Sequence, residues 1–242
     1  AIGTLVFLDF QKALRDNAFR HLEAVTNLQE SRVNDLVTSY SGGVVYLSSL
    51  PPLRQAASDY LQDPRTGPQL RQVLTSLVTV GPGQDAPFAE LAFTDPAGKV
   101  LESTEAASIG TTLPVRSGQS LTDIVKDKRG ARLLFNSPMT YDGKVAARLY
   151  FITSGQGLFT LVSNREGLGD TGEIFLVKRL DDKTGTFVTP LRFDSNAAFT
   201  QKVSLAQANR PSAQAVLMKA QTFTSGAVSY RNKPVVAVTR YV

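Results

Sequence analysis

The stretch Gly167-Leu168-Gly169-Asp170-Thr171-Gly172, followed by Glu173 and the apolar run 174–177, constrains this chain more than any other. Its spacing satisfies G-x-G-x-x-G. That pattern cradles a dinucleotide pyrophosphate only when a strand enters it and a helix leaves it, because the phosphate rests on the helix N-terminus. Here the order is reversed. Leu158, Leu161 and Val162 upstream have helical spacing, and 174–178 has the β-branched, aromatic and aliphatic make-up of a strand. The glycines therefore read as a helix-to-strand turn and as the seam between two modules, not as a nucleotide loop.

The bulk numbers agree with two modules. A chain of 242 residues can hold one large domain or two of about a hundred residues each. Cysteine is absent, which excludes disulfides, thiolate metal sites and a cysteine nucleophile. It also suits an oxidising compartment such as the periplasm. The net charge is +5, but Lys and Arg are scattered singly and no Trp is present, so the sequence has no basic, aromatic-interleaved stripe for nucleic acid. No run approaches the ~20 apolar residues of a membrane span.

Residues Leu14, Ala18, Leu22, Val25, Leu28, Val33, Leu36 and Tyr40 recur mostly every three or four positions, and the first proline is Pro51. This predicts one long amphipathic helix over about 8–40. Its first half is expected to serve as a stalk that pairs with a second copy, and its second half to pack on its own domain. Leu5-Val6-Phe7-Leu8 is apolar, as expected just outside a membrane anchor. Short helices are predicted at 53–62 and 68–78, a hairpin over 88–103 around Asp95-Pro96-Ala97-Gly98, a loop over 104–120, and a short helix over 121–128. A second hairpin spans 131–153 across Asp142-Gly143. After the glycine seam come strands at 174–179 and 186–193, a helix near 211–220, and a last hairpin turning at Asn232-Lys233. Both halves read as hairpin, loop, helix, hairpin. The fold class is α+β: a long N-terminal helix (1–52) followed by two tandem modules, 53–157 and 158–242, each an antiparallel sheet flanked by helices.

At 167–177, and again over 226–242 (Val228-Ser229-Tyr230-Arg231-Asn232-Lys233-Pro234-Val235-Val236 and onward), the sequence resembles the double Cache family, the PAS-like or PDC sensor domains of bacterial transmembrane receptors. Glu90-Leu91-Ala92-Phe93-Thr94-Asp95-Pro96-Ala97-Gly98 resembles the opening hairpin of that family's membrane-distal module, and Ile109-Gly110 the glycine after it. The resemblance implies an extracytoplasmic, periplasmic sensing domain of an inner-membrane receptor, most simply a sensor histidine kinase, with a diguanylate cyclase or chemoreceptor as the alternative output. It implies small-molecule binding in the distal module, homodimerisation through the N-terminal helix, and no catalysis in the domain itself. The Tyr, Arg and Trp-Tyr stretch of the family's amino-acid-binding subgroup has no counterpart, since 104–130 contains no aromatic residue.

The residues themselves offer few chemical sites. His21 is the only histidine, and nothing near it in sequence forms a triad or a metal set. Asp95 and the pair Asp181-Asp182 sit in turns and lack the calcium-loop pattern. We therefore expect no catalytic residue, no metal and no cofactor. The candidate ligand contacts lie on the distal half-sheet: Arg116, Arg132, Phe135, Ser137, Tyr141, Arg148 and Tyr150. Arg would bind an anionic group and the aromatics would wall it. Tyr230, Arg240 and Tyr241 read as structural. The rival readings are a stand-alone enzyme, which needs convergent titratable groups, and an interaction module with no pocket.

Overall fold

With no proline ahead of Pro51, nothing removes a donor from the first helix, and α1 runs Ile2–Ser49. The computed structural model describes residues 2–80, 90–115, 121–217 and 221–240. Helix α1 passes its expected end near residue 40 and continues through Gly42 and Gly43. Each glycine costs a helix about 1 kcal/mol relative to alanine. Val44 and Leu47, at 1% and 6% exposure, offset this, because burying such a side chain contributes about 1.5–3 kcal/mol. The buried stripe is Phe19, Gln29, Val33, Val44 and Leu47, with Leu22, Thr26, Leu36 and Tyr40 half-buried between them. Two residues expected on it, Ala18 and Leu28, face solvent, and the side chain of Leu14 lies outside the described residues. Leu50 is extended, as the residue before a proline prefers, and Pro51 opens helix α2 (Pro51–Gln62). Helix α3 (Gly67–Val80) follows.

The chain forms two compact units: residues 35–157, and residues 1–34 together with 158–242. Helix α1 contributes to both. The 35–157 unit holds β1 (Glu90–Thr94), β2 (Val100–Ser103), β3 (Leu121–Asp127), β4 (Gly130–Tyr141) and β5 (Lys144–Ser154), an antiparallel sheet ordered β2-β1-β5-β4-β3. The expected hairpins form. Asp142 and Gly143 take positive φ (48° and 74°), as a tight two-residue turn between twisted strands requires. The start of the first hairpin, 88–89, lies outside the described residues.

The helix predicted over 121–128 is a strand. Thr122, Ile124 and Val125 are β-branched, and β3 pairs with β4 from Leu121↔Phe135 to Asp127↔Gly130. The ladder, completed by Gly130 at φ 105°, outweighs the helical reading of the basic residues near its end. The architectural repeat between the two halves is therefore looser than expected, since the earlier unit has a strand where the later one has a helix.

Alternation gives this sheet two faces. Phe93, Leu133, Phe135, Leu149 and Phe151 point to the helices. Tyr40 of α1 meets the Phe135 and Phe151 rings at 5.4 and 5.5 Å, and Tyr60 of α2 meets Phe93 edge-on at 5.8 Å. The opposite face carries Ala92, Leu134, Tyr150 and Ile152, with Val100, Leu113 and Val125 packed on it.

The second unit contains α4 (Gln156–Ser163) from Leu158 onward, β6 (Val177–Arg179), β7 (Thr184–Phe187), β8 (Lys202–Ser204), α5 (Pro211–Val216), β9 (Gln221–Val228) and β10 (Pro234–Thr239). Its strands form a three-stranded sheet, β6-β7-β8, and a separate β9-β10 hairpin. Both predicted strands after the glycines are shorter than expected, and β8 is additional. Residues 174–176 remain tied to the next strand irregularly: Leu176 N–H donates to Thr189 Oγ1 and its carbonyl accepts from Val188. The core is Phe187, Leu191, Ala197, Val203 and Ala213, packed by Phe175, Val177 and Tyr230. Among the described residues no helix is long and apolar enough to cross a membrane.

Gly98, at φ 92°, lets the 111–115 segment lie against the sheet, because a Cβ there would strike the Leu113 carbonyl and the Val115 side chain. Gly110 has φ 84° but open space around it. Gly110→Ala should cost only the backbone strain, about 1–2 kcal/mol. Gly98→Ala should cost clearly more, about 3 kcal/mol in urea unfolding, and equal losses would refute the close approach.

Candidate functional site

The expected ligand contacts fall into separate places in the 35–157 unit, and Arg116 lies outside the described residues. Arg132 is buried and donates to Glu90 Oε2 at 2.6 Å and to Asp127 Oδ2 at 2.9 Å. Glu90, 2% exposed, also accepts from Arg129 at 3.1 Å and from the Ser103 hydroxyl at 3.0 Å. Phe135 and Ser137 point to the helical side, where Phe135 packs on Tyr40 and the Ser137 and Ser48 hydroxyls share a hydrogen bond of 2.8 Å. Tyr141 closes the hairpin end, donating to the Arg54 carbonyl at 2.9 Å beneath the Arg54 guanidinium. Arg148 and Tyr150 do share the other face. Arg148 donates to the Pro96 carbonyl and to Asn136 Oδ1, and Tyr150 donates to the Pro114 carbonyl at 2.8 Å. Burial pushes the Tyr150 phenol up, so it stays a donor, with Arg148 working weakly the other way.

Along β4, the position opposite Arg148 is Pro138. Six residues separate it from Arg132, or ~20 Å at ~3.3 Å per residue. Arg132 and Arg148 therefore cannot hold one small anion between them.

In the other unit the glycine stretch is built around a cation. Gly167 and Gly169 take positive φ. The Arg192 guanidinium donates to the carbonyls of Gly169 and Gly172 at 2.9 and 2.8 Å, and its backbone N–H donates to Glu173 Oε2 at 2.8 Å. A phosphate cradle needs inward N–H groups; this loop offers two oxygens to an arginine instead. His21 Nε2 donates to the Gly167 carbonyl at 2.8 Å, which joins α1 to the same turn and gives the lone histidine a structural role.

Beside this turn lies a cavity of about 230 Å³. Leu22 and Val33 of α1, Phe175, and Ala237 of β10 supply apolar wall. Its polar groups include Gln29, Glu173, Tyr230 and Arg240. Arg240 is engaged with Asn27 Oδ1 at 3.1 Å, the Thr239 carbonyl and Glu30 at 3.7 Å. Gln29 Oε1 and Tyr230 Oη are buried with no hydrogen-bond partner among the described residues. Such a group costs about 1–3 kcal/mol when left unsatisfied. The Tyr230 ring meets Phe175 and Phe187 edge-on at 6.4 and 5.9 Å. Burial first, and then the neighbouring Glu173 carboxylate, push the phenol up to about 12. The sequence reading placed no ligand contact here. The available signal was Gln29, a polar residue at the 22–26–29–33 spacing of an otherwise buried helix face.

Two outcomes follow. Glu90→Gln leaves Arg132 buried with a weakened partner and should lower unfolding free energy by about 2–4 kcal/mol in urea titration; no change would mean that the cluster is solvent-screened. The unfolded Tyr230 phenol ionises near 10 and the folded one near 12. Its contribution is therefore whole below pH 10 and is lost as pH rises from 10 to 12. Tyr230→Phe should flatten the fall of Tm across that window relative to the parent chain.

No protein-family profile and no curated protein matches the chain. Solved structures do. The sensor domain of the V. cholerae histidine kinase DctB matches with a TM-score of 0.47 and 14% identity, over 64% of this chain and 61% of that one, just under two thirds of its length. The extracellular domain of vpHK1S-Z8, designated a histidine kinase, matches with a TM-score of 0.45 and 14% identity, over 93% of this chain and 92% of that one. The sensory domain of the Campylobacter jejuni chemoreceptor Tlp3 gives 0.41 and 14%, over 75% of this chain and 92% of that one. What the chain is similar to, at these scores, is the chain trace of receptor sensor domains, and nothing about its chemistry follows from that.

Proposed function

We propose that the chain is the extracytoplasmic small-molecule-sensing portion of a membrane-anchored receptor of double Cache type, with a histidine kinase as output. The observation that carries the reading is the cavity of about 230 Å³, walled in part by α1 and lined by two buried polar atoms that lack partners. A ligand that supplies those partners binds the conformation holding it better than any other, and only such differential affinity shifts an equilibrium. Helix α1 is the element from which both units draw core residues, so it is the natural carrier of the shift, and its exposed side is where a second copy pairs. The double Cache motifs at 90–98, 167–177 and 228–236 support the periplasmic, membrane-anchored setting. A cyclase or chemoreceptor output is compatible with the same domain.

A second reading seats the ligand in the 35–157 unit, on the sheet face of Arg148 and Tyr150 under residues 111–115. Its support is the Arg148 guanidinium at the rim of that face, held among the described residues by a carbonyl and an amide oxygen.

A thermal-shift screen of small metabolites against the parent chain, Ala215→Phe and Arg148→Ala separates the readings. Ala215 lines the cavity. A stabilisation that grows with ligand concentration, about 2.7 kcal/mol at a hundredfold excess over Kd, should vanish in Ala215→Phe and survive in Arg148→Ala. The reverse pattern moves the seat to the sheet face. No stabiliser in the whole screen sinks the sensing reading and leaves an interaction module.

A further inference from the structure

The charges around the cavity select a class of ligand. Glu30 faces Arg240 at 3.7 Å, and the Arg231 guanidinium lies 3.6 Å above the Phe193 ring. The Arg192 guanidinium is committed to the Gly169 and Gly172 carbonyls. Glu173 takes the Arg192 backbone N–H, but among the described residues no Lys, Arg or His side chain forms an ion pair with it. Of the cavity's two carboxylates, Glu30 and Glu173, it is the one with no ion-pair partner among the described residues. The same cavity is lined by two residues whose Gln29 Oε1 and Tyr230 Oη have no hydrogen-bond partner among the described residues, the first on a side chain only 6% exposed. Phe175 and Tyr230 present ring surface to the same space.

We propose that this cavity binds a small protonated amine with an apolar body. An ammonium group carries three donors and no acceptor, which matches a carboxylate, an amide oxygen and a phenol oxygen among the lining groups. Aromatic faces add cation–π attraction for a desolvated cation. The volume sets the size. A dry cavity of about 150 Å³ holds benzene, so about 230 Å³ admits one ring or a short branched chain with a one- or two-carbon arm. Carboxylate ligands are disfavoured, because Glu173 repels them, Arg240 already faces Glu30, Arg192 is held by the glycine carbonyls and Arg231 lies on the Phe193 ring. The inference rests on the reading of this cavity as the sensing site and adds the chemistry of what it senses.

The test is calorimetric titration of the purified chain at pH 7.5 with three probes of one shape: benzylamine, benzyl alcohol and benzoate. Benzylamine should bind at least tenfold more tightly than benzyl alcohol, and benzoate weakest. Glu173→Gln should erase the preference for the amine over the alcohol, and Gln29→Leu should weaken the amine about tenfold. Gln29→Glu adds a second carboxylate on α1 and should tighten the amine about tenfold, so the proposal remains testable if Glu173→Gln does not fold. Benzoate or benzyl alcohol binding as well as the amine, an amine preference that survives Glu173→Gln, or no binding of any probe overturns the amine class. An anionic or neutral metabolite whose stabilisation disappears in Ala215→Phe would overturn the amine class and keep the cavity as the sensing site. A stabiliser indifferent to Ala215→Phe would remove the cavity itself.

Discussion

Both compact units draw buried side chains from the first helix: Phe19 and Val33 for one, Val44 and Leu47 for the other. One face of α1, read at steps of three and four from Phe19 to Leu47, gives apolar surface first to the 158–242 residues and then to the sheet of β1 to β5. A single helix cannot hide such a stripe by itself, and a small sheet cannot hide an apolar face by itself. Each unit therefore buries apolar side chains from its own length of the same helix. The constraint explains why α1 tolerates Gly42 and Gly43 in its interior: Val44 and Leu47 lie just beyond them, and the burial they provide exceeds the local propensity penalty.

The same constraint makes a polar residue on the stripe informative. Gln29 sits where an apolar residue would pack better, and its amide oxygen has no partner among the described residues. The cavity opens along this stretch of the stripe, with Leu22, Gln29 and Val33 in its wall. The distal residues selected for chemical character turned out to be occupied. Arg132 is bound by Glu90 and Asp127, Ser137 by Ser48, and Tyr150 by the Pro114 carbonyl. An arginine or tyrosine in a strand is open to a ligand to the extent that the fold has not used it, and pairings such as Tyr150 with Pro114, 36 residues apart, or Ser137 with Ser48, 89 apart, cannot be seen in a sequence window.

Much of the architecture was legible. Pro51, the Asp142-Gly143 turn and the reversed order around the glycine stretch each act through local backbone geometry, which sequence encodes directly. The 121–127 segment was not, because its strand state depends on a ladder with β4, and tertiary pairing overrides weak local preference. The short β8 was missed for the same reason. Of the candidate site, Tyr230 was noticed but read as packing, and its ring does pack on Phe175 and Phe187. Only the unpartnered hydroxyl distinguishes it, and that is a property of the folded neighbourhood.

Arg192 fastens three points at once: two glycine carbonyls through its side chain and Glu173 through its backbone. Next to it, Leu191 and Asp194 exchange backbone hydrogen bonds, which stiffens the segment. Glu173 is therefore coupled to a rigid mount. The same hydrogen bonds link that carboxylate to the 191–194 clasp and the glycine turn, and His21 links the turn to the long helix through Gly167. Arg192, which is not among the cavity's lining residues, is thus the knot through which these contacts meet.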